Sequence, residues 1–201
     1  MIKAFLFDIG NVLIHFNHQK AIDLIADLCD VPSDVVKREL FDSGLEWSYE
    51  EGKISTEELH REFERRIERK IEAEDLARAL CSIFWANEAM VPVIQSLKRQ
   101  GYRLVLLSNT SPLHFNYCFE HYPVLQLFDG RALSYQVKAC KPDERIFKKA
   151  LSEAGVAPEH CFYTDDVQDY VTAARRHGIR AEIFVGSEPL RDLLLARGIT
   201  I

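Results

Sequence analysis

FLFDIGNVLI, residues 5–14, is the stretch from which the rest of the chain is best interpreted. Its apolar first half ends on a carboxylate, Asp8, and the turn-forming residues Gly10 and Asn11 follow. This pattern predicts a buried strand of a parallel sheet that ends in a loop. Ligands of open α/β sheets bind outside the carboxyl ends of the strands. Asp8 therefore lies where a catalytic carboxylate is useful, although a turn-capping role fits this stretch equally well.

The composition is that of a globular protein large enough for one domain, or for a core with a smaller insert. The chain has 201 residues, of which 47% are hydrophobic, and a net charge of −6. This negative charge disfavours broad contact with a phosphate backbone, so we expect no nucleic acid partner. We also expect no membrane partner and no signal peptide. No apolar run approaches the roughly 20 residues of a membrane span, and the N-terminus lacks a basic segment.

The cysteines indicate a reducing environment. All five are scattered along the chain, and no two form a CxxC pair: Cys29, Cys81, Cys118, Cys140 and Cys161. This arrangement favours reduced, structural thiols over a disulfide framework or a zinc site. We therefore expect a cytoplasmic protein.

Two patterns of periodicity divide the chain. Residues 15–87 show helical spacing with almost no strand signal, as in the stripe Ile22, Leu24, Ile25 and Leu28 and in a capping box that begins at Ser55. From residue 88 onwards, predicted strands alternate with helices, which is typical of a parallel sheet covered on both faces. The expected fold is α/β. A three-layer, Rossmann-like parallel-sheet core is formed by residues 1–14 and 88–201, and an all-α helical cap is inserted at residues 15–87.

Polar side chains follow three of the predicted strands. Asp8 ends the first, Ser108 and Asn109 end the second, and the pair Asp165 and Asp166 ends a later one. Right-handed crossovers bring these strand ends to one edge of the sheet. Carboxylates gathered there would repel one another unless a cation lay between them, and hard oxygen ligands suit Mg²⁺.

Lys141 lies between the second and third of these polar groups in the sequence. Its ammonium group, with the Ser108 hydroxyl and the Asn109 amide, would supply positive charge and hydrogen-bond donors to a phosphate. Asp8 could then attack phosphorus and form an aspartyl-phosphate that water cleaves. Each signal alone fits ordinary turn, loop or surface chemistry. Their order along the chain favours an active site.

Four motifs of the chain resemble those of the haloacid dehalogenase-like hydrolase superfamily, in the branch that carries a helical cap after the first strand. They are FDIGNV at residues 7–12, LSN at 107–109, KPD at 141–143 and FYTDD at 162–166, and the segment 51–59 resembles the cap of that branch. The FDIGNV form most resembles bacterial small-molecule phosphatases, which include sugar-phosphate phosphatases. The resemblance implies a Mg²⁺-dependent hydrolase of a small phosphorylated metabolite.

The resemblance also implies a role for each matching residue. Asp8 would be the nucleophile and a metal ligand, and the main-chain carbonyl of Gly10 would be another ligand. Asp166 would be the second direct carboxylate ligand, with Asp165 beside the metal directly or through water. Phosphate oxygens would be held by Ser108 and Asn109, and charge would be neutralised by Lys141.

Gly10 is the departure from the family pattern. The phosphatases of this superfamily usually carry an acid–base aspartate there, worth about 10²–10⁴-fold in rate. One interpretation is a phosphatase with a substitute acid–base group, for which His15 and His18 are candidates, although both also fit a solvated turn. A second is a metal-independent 2-haloacid dehalogenase, which the pair Asp165 and Asp166 disfavours. A third is a catalytically impaired module that binds phosphate or a partner.

Two aromatic residues of the cap region are candidates for substrate contact. Trp47 and Tyr49 could touch the organic part of a substrate, but packing between cap helices explains them at least as well. The sequence assigns neither to the site.

Overall fold

The computed structural model describes residues 1–201 and has a parallel sheet at its centre. The sheet contains five strands in the order β5–β4–β1–β6–β7, and every neighbouring pair is parallel. The strands are β1 (Ala4–Phe7), β4 (Arg103–Ser108), β5 (Gly130–Leu133), β6 (Cys161–Asp165) and β7 (Arg180–Ile183). Helices cover both faces, so the predicted α/β, Rossmann-like fold is confirmed.

Two apolar clusters, one on each face, account for the sheet's position between helical layers. Because side chains alternate across a strand, Phe5 and Phe7 pack on one face while Ala4 and Leu6 pack on the other. The core helices are α6 (Val91–Arg99), α7 (Pro112–His121), α8 (Ser134–Val137), α9 (Glu144–Ala154), α10 (Gln168–Arg176) and α11 (Ser187–Ala196). Because all five strands are parallel, their carboxyl ends lie at one edge of the sheet.

A separate apolar cluster joins the helices between β1 and β4. These helices are α1 (His18–Cys29), α2 (Ser33–Val36) with a π-helical continuation (Lys37–Asp42), α3 (Leu45–Glu50), α4 (Thr56–Ile67) and α5 (Ala73–Cys81). Their 17 buried residues run from Ala21 to Ile83, whereas the other two clusters contain only residues from outside that range. On this basis we propose residues 15–87 as the cap and residues 1–14 and 88–201 as the core.

Short strands connect the two parts. The strands β2 (Ile14–Phe16) and β3 (Phe84–Ala86) form an antiparallel pair at the point where the chain enters and leaves the helices. Almost no strand signal is visible here in the sequence, because three-residue strands paired across about 70 residues leave no local periodicity. No helix is both long and apolar enough to cross a lipid bilayer.

The buried face of α1 differs from the predicted stripe. Leu24 and Leu28 are 38% and 50% exposed, and the helix instead buries its small residues Ala21 and Ala26 beside Ile22 and Ile25. Small side chains allow α5 to approach α1 closely, and this tertiary packing outweighs the hydrophobicity of the two leucines. The capping box at Ser55 is present: its hydroxyl accepts from the backbone N–H of Glu58, whose carboxylate accepts from Ser55 N.

Candidate active site

The structure brings all seven predicted site residues to one edge of the sheet. Asp8 follows β1, Ser108 ends β4, and Asp165 ends β6, so the parallel register of these neighbouring strands places the three side by side. Carboxylate oxygens of Asp8, Asp165 and Asp166 all lie within 4.8 Å of one another. A cavity of about 250 Å³ opens over this edge.

Lys141 is the cation at the centre of the site. Its side chain is 1% exposed, and its Nζ lies 2.9 Å from Asp8 Oδ1 and 2.6 Å from Asp165 Oδ2. It also donates to the main-chain carbonyl of Leu107 at 3.1 Å. Burial acts to lower the pKa of Lys141, but the two carboxylates outweigh burial and raise it. The lysine is therefore charged throughout the neutral pH range.

Asp165 is fully occupied by contacts within the protein. Its Oδ1 accepts from the backbone N–H of Val167 at 2.8 Å, while its Oδ2 accepts from Lys141 and from the Tyr163 hydroxyl. Asp166 has more freedom, since its only hydrogen bond within the protein comes from Asn11 Nδ2 at 3.0 Å. Asp166 is thus better placed than Asp165 to bind a ligand directly.

The negative charge of the Asp8 carboxylate is only partly balanced by neighbouring groups. Burial raises the pKa of Asp8 to about 7, Lys141 opposes this rise, and the charge of Asp165 adds to it. Its buried Oδ1 accepts no well-directed hydrogen bond, although Lys141 pairs with it electrostatically. Three carboxylates facing one ammonium group leave excess negative charge. This orphaned oxygen and the all-oxygen donor set fit a divalent cation such as Mg²⁺.

The loop after β4 is tied to the loop that carries Lys141. Asn109 Oδ1 accepts from the Lys141 backbone N–H at 2.7 Å, and its Nδ2 donates to the Lys141 carbonyl at 3.3 Å. The Ser108 side chain is buried beside Asp8 and helps to lower the pKa of Asp8. These contacts hold the predicted phosphate-binding residues in register with the carboxylates.

The remaining candidate residues differ in whether they line the cavity. His18 lines the cavity, but His15 does not: it lies on β2 with its ring 5.6 Å from that of Trp85. Trp47 lines the cavity and is 46% exposed. Tyr49 is buried, and its hydroxyl contacts Thr56 Oγ1 at 2.7 Å, so it packs inside the protein.

Two residues that the sequence did not indicate also line the cavity. Glu50, at the end of α3, and His114, on α7, face the site from the cap and from the core. Glu46 and Glu50 are spaced four residues apart, which places them on one helix face, but nothing local shows that this face is turned toward Asp8. Only the placement of the cap over the sheet reveals them.

Comparison with known proteins identifies the family. A family model for haloacid dehalogenase-like hydrolases matches residues 2–178. The chain therefore belongs to the haloacid dehalogenase-like hydrolases.

Characterised relatives and solved structures agree with this assignment. The chain is 27% identical to the D-ribitol-5-phosphate phosphatase of Bacteroides thetaiotaomicron over 174 residues, which cover 83% of this chain and 84% of the relative. It is 26% identical to a phosphatase of Mycobacterium tuberculosis, with 95% and 91% covered. A predicted hydrolase of the same family from Porphyromonas gingivalis superimposes with a TM-score of 0.82 at 28% identity, covering 97% of this chain and 98% of that one.

A further structure bears on the fold. A family enzyme from B. thetaiotaomicron, solved with magnesium and inorganic phosphate, has a TM-score of 0.82 at 24% identity, with 91% of this chain and 94% of that one covered.

Proposed function

We propose that the protein is a Mg²⁺-dependent phosphatase that hydrolyses a small phosphomonoester through an aspartyl-phosphate on Asp8. The observation that carries the proposal is the convergence of Asp8, Asp165 and Asp166 around the buried ammonium group of Lys141. Phosphatase relatives, and the magnesium–phosphate complex of a structural neighbour, support the same reaction. The scattered cysteines and the relatives' substrates further support a cytoplasmic enzyme acting on a phosphorylated metabolite.

The metal ligands in this proposal are Asp8, Asp166 and the main-chain carbonyl of Gly10. When bound, Mg²⁺ would offset the repulsion between the phosphate and the carboxylates. Asp165, whose oxygens are already engaged, orients Lys141 and lies beside the metal rather than directly on it. Glycine retains the carbonyl that this position contributes, so the absence of a side chain at residue 10 leaves the metal site intact.

Asp8 is the nucleophile in the first step. A carboxylate oxygen of Asp8 forms a bond to phosphorus while the bond from phosphorus to the leaving oxygen breaks. Lys141 stabilises the charge that phosphate and carboxylate share, and Ser108 and Asn109 hold the phosphate oxygens. Water then attacks phosphorus, and the bond to Asp8 breaks to release inorganic phosphate.

The substrate proposed is a phosphorylated sugar or polyol. The cavity of about 250 Å³ is small, and the cap side chains Trp47 and His18 line it. A 27% identical relative acts on D-ribitol 5-phosphate, which belongs to this class of compound.

A screen of phosphorylated metabolites with and without Mg²⁺ tests the proposal. We expect phosphate release that depends on Mg²⁺, is lost with a chelator and falls by more than about 10⁴-fold in Asp8→Asn. Asp143→Asn, a change at a partly exposed acid of the same sequence motif as Lys141, is the control and should retain activity. Activity unaffected by chelation, or by the Asp8 substitution, would contradict the proposal; halide release from 2-haloacids without metal would indicate a dehalogenase instead.

A further inference from the structure

The space beside Gly10 is already filled. A Cβ atom built on Gly10 would lie 3.0 Å from Cε1 of the Phe16 ring and 3.9 Å from Asp8 Oδ2. An aspartate side chain at this position would therefore need Phe16 to move. If the phosphatase reaction proposed above takes place, the proton for the leaving oxygen has to come from another part of the cavity.

Glu50 is an acid that reaches the cavity from the cap. It is the last residue of α3, and its side chain lines the cavity together with Asp8 and Lys141. The charges of Asp8 and Lys141 both act on its carboxyl, but no hydrogen bond to the carboxyl contributes to its pKa. The carboxyl is thus near the reacting groups and free of the contacts that occupy Asp165.

The backbone of Glu50 is fixed to the core. Ser134 Oγ donates to the Glu50 carbonyl at 2.6 Å and accepts from the backbone N–H of Thr110 at 2.9 Å, so one hydroxyl joins α3 to the loop after β4. Two residues further on, a Cβ atom on Gly52 would lie 2.3 Å from the carbonyl oxygen of Tyr135. Only glycine permits this close approach of the cap to the core. The close approach in turn holds Glu50 over the site.

Glu50 belongs to a cluster that lacks a cation. Titratable atoms of Glu46, Glu50 and His114 lie within 4.8 Å of one another. His114 is 7% exposed, and its Nε2 has no hydrogen-bond partner. Burial, followed by the charge of Asp8, raises the pKa of Glu50 to about 7, and burial lowers that of His114 to about 4. Near neutral pH the carboxyl of Glu50 is therefore only partly ionised.

We propose that Glu50 is the acid–base residue that takes the place of the aspartate missing at Gly10. In the first step, the Glu50 proton moves to the leaving oxygen as the bond from phosphorus to that oxygen breaks and the bond from Asp8 to phosphorus forms. In the second step, the Glu50 carboxylate removes a proton from the water that attacks phosphorus, and the bond to Asp8 breaks. Glu46 and His114 lie within 4.8 Å of this carboxyl and influence how readily it gives up its proton.

Charged and titratable groups surround Glu50 on several elements. They are Glu46 on its own helix, His18 on α1, His114 on α7, Asp8 after β1, and Cys140 and Lys141 before α9. Of these, Lys141 lowers the pKa of Glu50, whereas Asp8 raises it. Because a substitution of Glu50 leaves all of these neighbouring groups in the protein, a change in activity can be assigned to Glu50 itself.

A leaving-group series with Glu50→Gln tests the assignment. A poor leaving group such as an alkoxide needs the proton, whereas p-nitrophenolate does not, so kcat/KM should fall by roughly 10²–10⁴-fold for alkyl phosphates and much less for p-nitrophenyl phosphate. With the aryl substrate, intact-mass measurement should show phosphorylated Asp8 accumulating, because the base for the second step is missing. Glu51→Gln is the matched control, since Glu51 is the next residue in the chain and its carboxylate pairs with Lys53.

The dependence of kcat/KM on pH is a second measurement, and it would not change if Glu50 had only a structural role. The alkaline fall in kcat/KM for alkyl phosphates should be present in the wild type and absent in Glu50→Gln. His114→Asn should shift that limb without removing it. Should Glu50→Gln fail to fold, Glu50→Asp, which keeps the proton on a shorter side chain, should show an intermediate loss with the same preference for good leaving groups.

Several outcomes would overturn the assignment. One is an unchanged ratio of alkyl to aryl turnover in Glu50→Gln, with full wild-type activity. Another is a second tightly bound Zn²⁺ or Mn²⁺ ion that disappears in Glu46→Gln, because the cluster would then be a metal site. In either case Mg²⁺-dependent phosphate release would persist in the wild type. Loss of the proposed function itself would instead appear as a wild type without such release.

Discussion

The acids at the sheet edge and the acids of the cap face the same cavity but are treated very differently by the fold. Asp8 and Asp165 share the buried ammonium group of Lys141, and Asp165 accepts hydrogen bonds on both oxygens. Glu46 and Glu50 lie near an imidazole whose Nε2 has no hydrogen-bond partner, and they have no cation of their own. A neighbouring cation favours the charged form of a buried carboxyl group, while burial and a like charge favour its protonated form. The first group suits a metal and a nucleophile, and the second suits proton transfer.

Removing the cation from the sheet edge should produce the largest effect. Lys141→Met leaves two buried carboxylates without compensation, and breaking a buried pair in this way costs about 3–5 kcal/mol of the free energy of unfolding. We also expect phosphate release to fall to background. Urea denaturation with a chelator present measures the stability change.

Lys148→Met is the control for that substitution. Its exposed ion pair with Glu144 should contribute less than about 1 kcal/mol. Equal stability losses in the two variants would show that the contrast between the sheet edge and the rest of the molecule is wrong.

Cutting the connection between the two regions should have a smaller effect. Ser134→Ala removes the hydroxyl that joins Glu50 to Thr110 and leaves the buried Thr110 backbone N–H unpaired. We expect a loss of about 1–3 kcal/mol in the free energy of unfolding and a lower kcat for alkyl phosphates, because Glu50 is less firmly placed. Melting curves and steady-state kinetics measure the two effects. Ser152→Ala, a change at an exposed serine on α9 away from the site, should change neither.

Filling the space beside Gly10 tests how tightly Phe16 packs against this residue. Gly10→Ala places a methyl group 3.0 Å from the Phe16 ring, and such overpacking should cost about 1–2 kcal/mol. The double variant Gly10→Ala with Phe16→Leu should cost less than the sum of the two single changes, because leucine no longer reaches the added methyl. Chemical denaturation of all four proteins completes this cycle. Strict additivity would mean that Phe16 does not occupy this space.

The smallest effect concerns the stability of the cap cluster as a function of pH. The folded-state pKa of Glu50, about 7, exceeds its ordinary value of 4.5, so the unfolded chain releases this proton first as pH rises. Stability from this group is present below about pH 4.5 and is lost as pH rises through about 7. Glu50→Gln removes that loss and should raise the melting temperature at pH 8 by about 2–4 °C for each kcal/mol recovered, with little change at pH 4.5. A stabilisation of equal size at both pH values would contradict the shifted pKa.

Much of the fold follows from local pattern. The strands β1, β4 and β6 were visible as apolar runs ending in polar residues, and the capping box fixed the start of α4. The faces of α1 and the pairing of β2 with β3 were not visible. Helix α1 buries alanines rather than leucines because α5 packs close to it, and β2 meets a partner about 70 residues away. Neither effect leaves a trace within a short window of sequence.

The candidate site divides in the same way. Asp8, Ser108 and Asp166 stand at strand ends or beside them, and parallel strands bring such positions together by their topology, so sequence order was sufficient to group them. Glu50 and His114 could not be grouped, because they come from the cap and the core and meet only where the cap closes over the sheet. The functional roles of all five residues remain predictions for the experiments above.

Residue order alone therefore specified the family motifs, the parallel sheet and the set of acids at its edge, because each depends on short-range pattern and on chain topology. Three-dimensional packing was needed to show that Phe16 fills the space beside Gly10 and that Glu50 lines the same cavity as Asp8. Those two facts depend on how the cap sits on the core. That arrangement arises from contacts such as Ser134 with Glu50, between residues 84 positions apart in the chain.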